Sequence, residues 1–96
     1  MNASWADPTV TWTLGPVTDW YRSGDRSAVL LGDQYLALSP DATTVVAAVV
    51  RSPMTVEHLL DAVVAAGPTT DRAILTETVV TLITAGVLAA EFEREV

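Results

Sequence analysis

The side chains best suited to acid–base or metal chemistry in this 96-residue chain are one histidine and twelve carboxylates. His58 is preceded by Glu57 and followed three residues later by Asp61. On a helix, His58 and Asp61 would share a face, at the spacing of a carboxylate–imidazole pair. Two such ligands still make a poor metal site without a third. The chain has no cysteine, which excludes disulfides, thiolate metal sites and cysteine nucleophiles. It has no nucleophile elbow, phosphate loop or zinc signature, and a Ser–His–Asp order means little with one histidine. The sequence therefore predicts no catalytic residue, no metal and no cofactor. The plain reading of His58 is a surface helix residue.

The remaining chemistry is main-chain hydrogen bonding. Gln34 to Leu38 reads as a short strand that runs straight into a helix. Ser39 suits the N-cap, Pro40 falls where the first helical residue would be, and Asp41 puts a negative charge in the first turn. The free edge of such a strand, beside a later helix, could receive an extended peptide. Along the strand, Leu36 and Leu38 share one face and Tyr35 and Ala37 the other.

The surrounding elements follow from pattern. Thr9 to Leu14 alternates polar and apolar residues, with Val10, Trp12 and Leu14 on one face, and reads as a half-buried strand with Trp12 in the core. Gly15-Pro16 ends it. Val17 to Ser27 shows no single period; it holds Trp20-Tyr21 and the turn signal Ser23-Gly24-Asp25. Ala28 to Leu31 is an apolar run of strand length, and the Gly32-Asp33 link to the next strand predicts an antiparallel hairpin. A first helix is predicted over Pro40 to Arg51 and a second over Val56 to Ala66, with Thr55 as N-cap and Gly67-Pro68 as the stop. A third is capped by Thr70, has Asp71 in its first turn, turns Ile74, Leu75, Thr78, Val79, Leu82 and Ile83 inward, and ends at Gly86. Val87 to Phe92 reads as a short terminal strand or an irregular tail.

Strands followed by helices indicate an α+β fold, with about three antiparallel strands packed against three helices in a winged-helix-like arrangement. One domain over 1–96 is expected, with 1–8 and 91–96 as loose termini. Net charge is −7, and all five bases are arginine. No basic stripe is available for a phosphate backbone or an anionic membrane surface, so neither nucleic acid nor membrane is an expected partner. The N-terminus has no signal-peptide pattern, and the longest apolar run is too short to span a bilayer. A cytoplasmic protein is the default expectation.

Three segments carry a family resemblance: Gly32 to Val50 (GDQYLALSPDATTVVAAVV), Met54 to Ala66 (MTVEHLLDAVVAA) and Val79 to Leu88 (VVTLITAGVL). Together they resemble the strand, the Leu-Asn/Ser-Pro junction and the helices of PqqD-like peptide-recognition domains, also called RiPP recognition elements. The likeness covers roughly Ala28 to Leu88. The first helix departs from it, with Val46 or Val49 where a tryptophan often packs, and the Trp20-Tyr21-Arg22-Ser23-Gly24 segment has no clear counterpart.

The resemblance implies a non-catalytic domain. It would bind the leader of a ribosomally made precursor peptide as a strand added to the third strand, and present it to a modifying enzyme or leader peptidase. The implied peptide-binding residues are Gln34, Tyr35, Leu36, Ala37 and Leu38 on the strand, faced by Ile74, Glu77, Thr78 and Thr81 on the third helix. For most of the third-helix apolar stripe the plain reading is core packing; Ile74 and Thr78 lie on its flank, where a groove could share them. Glu77 could pair with a basic leader residue, although an exposed helix glutamate is usually solvated. Tyr35 and Ala37 could equally be covered by the domain's own helices. Trp20-Tyr21 reads either as a protein contact or as packing against the sheet.

Two readings from other classes stand beside this one. A winged-helix transcription regulator would need a basic recognition helix, whereas the third helix carries Arg72 with Asp71 and Glu77. A structural subunit would stabilise a larger enzyme through apolar surface.

Overall fold

The computed structural model describes residues 10–66 and 71–91. Its organising element is a meander of three antiparallel strands, β2 (Val17–Ser23), β3 (Arg26–Leu31) and β4 (Gln34–Leu38), ordered β2-β3-β4. Before them lies β1 (Thr11–Leu14). After them come α1 (Pro40–Arg51), α2 (Val56–Ala66), α3 (Arg72–Ala85) and β5 (Leu88–Glu91). The α+β expectation holds. The strand expected as third is the third of its sheet and the fourth along the chain.

Val17 to Ser27, which shows no period in the sequence, contains β2 and the start of β3. A register irregularity between Val17 and Asp19 breaks the alternation, as a bulge does. Trp20 packs against the core, while Tyr21 is 51% exposed. The β3–β4 link is the two-residue Gly32-Asp33 turn, with Gly32 at φ 61° and Leu31 paired to Gln34. A glycine takes that left-handed backbone without steric cost.

β1 does not join the meander. It pairs antiparallel with β5, Thr11 opposite Glu91 and Leu14 opposite Leu88, to form a second sheet. Trp12 also exchanges backbone bonds with Met54, N to O at 2.8 Å and back at 3.2 Å, and its ring is buried as expected. Glu91 therefore belongs to a strand rather than to a loose terminus; 1–8 and 92–96 lie outside the described residues, as does Thr9.

The helices begin where their caps place them. Ser39 Oγ accepts from Ala42 N at 3.2 Å, with Pro40 at the first turn, and Thr55 Oγ1 accepts from His58 N at 3.2 Å. The third helix departs from expectation: Asp71 is the N-cap, its carboxylate accepting from Ala73 N at 2.9 Å and Ile74 N at 3.4 Å, while Thr70, expected to cap it, and Gly67-Pro68, expected to stop the second helix, lie outside the described residues. An ionised carboxylate there also faces the positive end of the helix dipole. Gly86 closes α3 in the left-handed region, at φ 89°. Gly86 N donates to Ile83 O and Val87 N to Leu82 O, a Schellman pair that turns the chain into β5.

The core lies between the helices and the inner faces of both sheets. Val29, Val45, Val46, Val49, Leu59 and Leu75 are among its fully covered side chains. Within this apolar volume Ser27 Oγ and Thr43 Oγ1 meet at 2.7 Å, tying β3 to α1. Among the described residues no helix is long and apolar enough to cross a membrane.

Two substitutions test this framework. Thr43→Val should destabilise the fold by about 1–3 kcal/mol in urea denaturation, because it strands the Ser27 hydroxyl, and adding Ser27→Ala should recover much of the loss. Gly15 packs against the β5 end, donating to Val87 O at 2.7 Å, and a Cβ there would run into the Gly86 carbonyl oxygen. Gly15→Ala should accordingly cost about 1–3 kcal/mol, read as a lowered Tm.

Candidate functional site: a groove between β4 and α3

β4 is an edge strand of its sheet, and its outer edge stands across a groove from α3. The groove encloses about 330 Å³, near the lower end of the roughly 300–1,000 Å³ typical of ligand clefts. That is room for a few side chains rather than for a large cofactor. One wall is Leu36, Ala37 and Leu38, continuing through Ser39 to Ala42; the other is Ile74, Glu77, Thr78 and Thr81, with Leu82 and Ala85 below them.

Each wall follows from a local period. In β4, Leu38 is buried and Leu36 half-buried, whereas Tyr35 and Ala37 are exposed, the alternation expected of a one-sided strand. In α3, Leu75, Val79 and Leu82 enter the core. Residues 74, 77, 78 and 81 lie on the adjoining face, three or four apart. Ile74, expected to point inward, is 49% exposed and forms an apolar rim. The core-facing arc of α3 is narrower than its apolar stripe, so Ile74 is left over for the groove.

Of the nine residues expected to bind a peptide, Leu36, Ala37, Leu38, Ile74, Glu77, Thr78 and Thr81 line this groove. Gln34 and Tyr35 are exposed on the same strand but outside the lining. Ser39, Ala42, Leu82 and Ala85 also line it. Ser39 carried the cap signal, Ala42 the apolar spacing of the first helix and Leu82 a core signal; Ala85, a small residue near the helix end, carried none.

The pairing register decides which main-chain groups face outward. A two-residue hairpin loop makes its flanking pair, Leu31 and Gln34, hydrogen-bonded, and bonded and non-bonded pairs then alternate. Leu36 and Leu38 turn their N–H and C=O groups toward β3. Tyr35, opposite Leu30, and Ala37, opposite Ala28, turn theirs toward open space. The side chains in the groove are less available for polar contact. Ser39 Oγ caps α1, and Thr78 Oγ1 donates to Ile74 O at 3.1 Å. Among the described residues, Glu77 is the only charged group of the lining.

On the outer face of the sheet, Tyr35 lies diagonally across β3 from Tyr21, with ring centroids 6.0 Å apart and planes at 46°. Asp19 shares this face, aligned with Tyr35 through Leu30. The inner face carries Arg22, whose guanidinium lies 5.2 Å from the Trp20 ring centroid.

His58 is exposed on α2. Asp61 does not turn to it; its carboxylate takes a 2.7 Å ion pair with Arg72 on α3. Among the described residues there is no group of three or more His, Cys, Asp or Glu arranged to hold a metal ion.

The Tyr21–Tyr35 contact has a titratable signature. Hydrogen bonding to Tyr35 first, then the charge of Asp19, holds the Tyr21 phenol above the usual tyrosine value. A raised phenol stabilises the fold fully below pH about 10, and that contribution is lost as pH rises through the folded-state value. In an ultraviolet titration of this two-tyrosine chain, Tyr21 should ionise above the ordinary value, and Tyr35→Phe should bring it down. No family model, curated protein or solved structure matches the chain.

Proposed function

We propose that this chain binds the leader segment of a ribosomally made precursor peptide and delivers it to a modifying enzyme or leader peptidase, as PqqD-like recognition elements do. The leader would add as an extended strand to β4, and the domain itself would carry out no chemistry. The observation that carries this reading is the open edge of β4 standing directly across an apolar-floored groove from α3.

Energetics favour a mixed readout. Tyr35 and Ala37 offer two donors and two acceptors to an added strand. At about 0.5–1.5 kcal/mol net per hydrogen bond, four bonds give about 2–6 kcal/mol. Micromolar affinity needs about 8 kcal/mol, and ordering a flexible leader adds to the requirement. The shortfall falls to apolar leader side chains, worth roughly 1.5–3 kcal/mol each when buried. The groove between Leu36, Leu38 and Ile74 is the place for them. Alternate residues of the leader would enter it, and the intervening ones would face outward.

Fluorescently labelled leader peptides encoded beside the gene provide the test. Saturable binding in the micromolar range or tighter is expected, and a set of such leaders that all fail to saturate defeats the reading. Ala37→Pro removes an outward N–H without breaking a bond to β3, so it should abolish binding while circular dichroism and Tm stay near wild type. A folded Ala37→Pro protein with unchanged affinity would sink strand addition. Ile74→Ala should weaken binding about tenfold, equivalent to about 1.4 kcal/mol.

A further inference from the structure

The surroundings of β4 are one-sided in charge. On the groove side the single charged residue among those described is Glu77, exposed on α3. On the outer side the Tyr35 ring is 64% exposed beside Tyr21, with Asp19 aligned behind it. The described arginines are placed elsewhere. Arg22 lies over Trp20, Arg26 sits at the Ser23 end of the β2–β3 hairpin, Arg51 is in the last turn of α1, and Arg72 is paired with Asp61. The chain as a whole carries −7.

An added strand exposes its side chains alternately to these two environments. A cation on the outer face would meet an aromatic ring with a carboxylate behind it, a setting that favours guanidinium and ammonium groups. A cation on the groove side would find Glu77 above an apolar floor, where a long aliphatic stem can lie on carbon and its head stay at the rim. Among the described residues, an anion would find no base at either place.

We infer that the segment received on β4 is cationic, an extended peptide whose apolar side chains fill the groove and whose arginine or lysine side chains meet Tyr35 on the outer face and Glu77 at the rim. This rests on strand addition to β4 and narrows it to a class of peptide. Opposite charge also speeds encounter, and that part of the effect is screened by salt.

The probe is a random twelve-residue peptide display library, selected in parallel against the intact chain and its Ala37→Pro variant at low ionic strength. Peptides retained by the first and not by the second are synthesised, and their affinities measured by fluorescence anisotropy at low and high salt. Net-positive peptides with apolar residues at every second position are expected. Replacing their basic residue by glutamine should weaken binding about fivefold or more. Glu77→Gln and Tyr35→Ala, both at exposed positions, should weaken the basic peptide by a larger factor than its glutamine version. Neutral or acidic peptides that depend on Ala37 would overturn the cationic inference and leave strand addition standing, as would affinities indifferent to Glu77→Gln and Tyr35→Ala. A selection yielding no peptide that distinguishes the chain from its Ala37→Pro variant would overturn strand addition and this inference together.

Discussion

The architecture depends on a junction with no spacer: β4 ends at Leu38 and α1 begins at Pro40. Ser39 between them is extended, at φ −67° and ψ 169°, and its hydroxyl caps the helix that follows. Because one residue makes the turn, the direction of α1 relative to the sheet is set by the covalent chain and not only by packing. Leu38 and Ala42, on either side of the junction, are both buried. The Ser27–Thr43 hydrogen bond then ties the first turn of α1 to β3, the strand next to β4. With α1 fixed, its valines supply the surface on which α2 and α3 pack. The position of α3, and so the width of the groove, follows from how α1 leaves the sheet.

The second sheet secures the other end of α3. Gly86 turns the chain out of the helix, Val87 and Leu88 are buried, and β5 captures β1 from the opposite end of the sequence. β1 in turn is stitched to Met54, between α1 and α2, through two backbone bonds. The groove-forming helix is thus held at its start by the Asp71 cap and the Arg72–Asp61 ion pair, and at its finish by a strand. The exposed ion pair adds little stability alone, since such pairs contribute about 0–1 kcal/mol. Its geometry nevertheless joins α2 to α3.

What the sequence disclosed tracks how local each signal is. α1 and α2 match their expected bounds because caps, a proline and apolar spacing all lie within the segment itself. The β3–β4 hairpin was legible for the same reason, a two-residue turn between apolar runs. Three features were not. β2 hides behind the irregularity at Val17 and Asp19 and behind exposed charged residues on both of its faces, Asp19 on the outer and Arg22 on the inner. The β1–β5 pairing joins residues as far apart as Thr11 and Glu91, and no local pattern encodes a partner at that distance. The α3 cap falls one residue late because Thr70 and Asp71 are both competent, and only the bonds to Ala73 and Ile74 separate them. The candidate site divides in the same way. The alternation of β4 and the spacing on α3 were readable one by one, whereas their facing across a groove was an expectation drawn from the family resemblance. The Tyr21–Tyr35 pair could not be foreseen without β2.

An open strand edge is ordinarily a hazard, because it invites copies of the same chain to stack, and proteins commonly blunt it with lysine, proline or a bulge. β4 has none of these within its five residues, and it carries no charge. It is bounded instead, by the Gly32-Asp33 turn at one end and Pro40 at the other, leaving about 17 Å of extended chain. Fibril-forming segments typically run six or seven residues with every backbone group engaged, whereas only Tyr35 and Ala37 present outward bonds here. Shortness therefore acts as the safeguard. It lets this edge stay uncharged while offering a second copy few outward bonds to pair with.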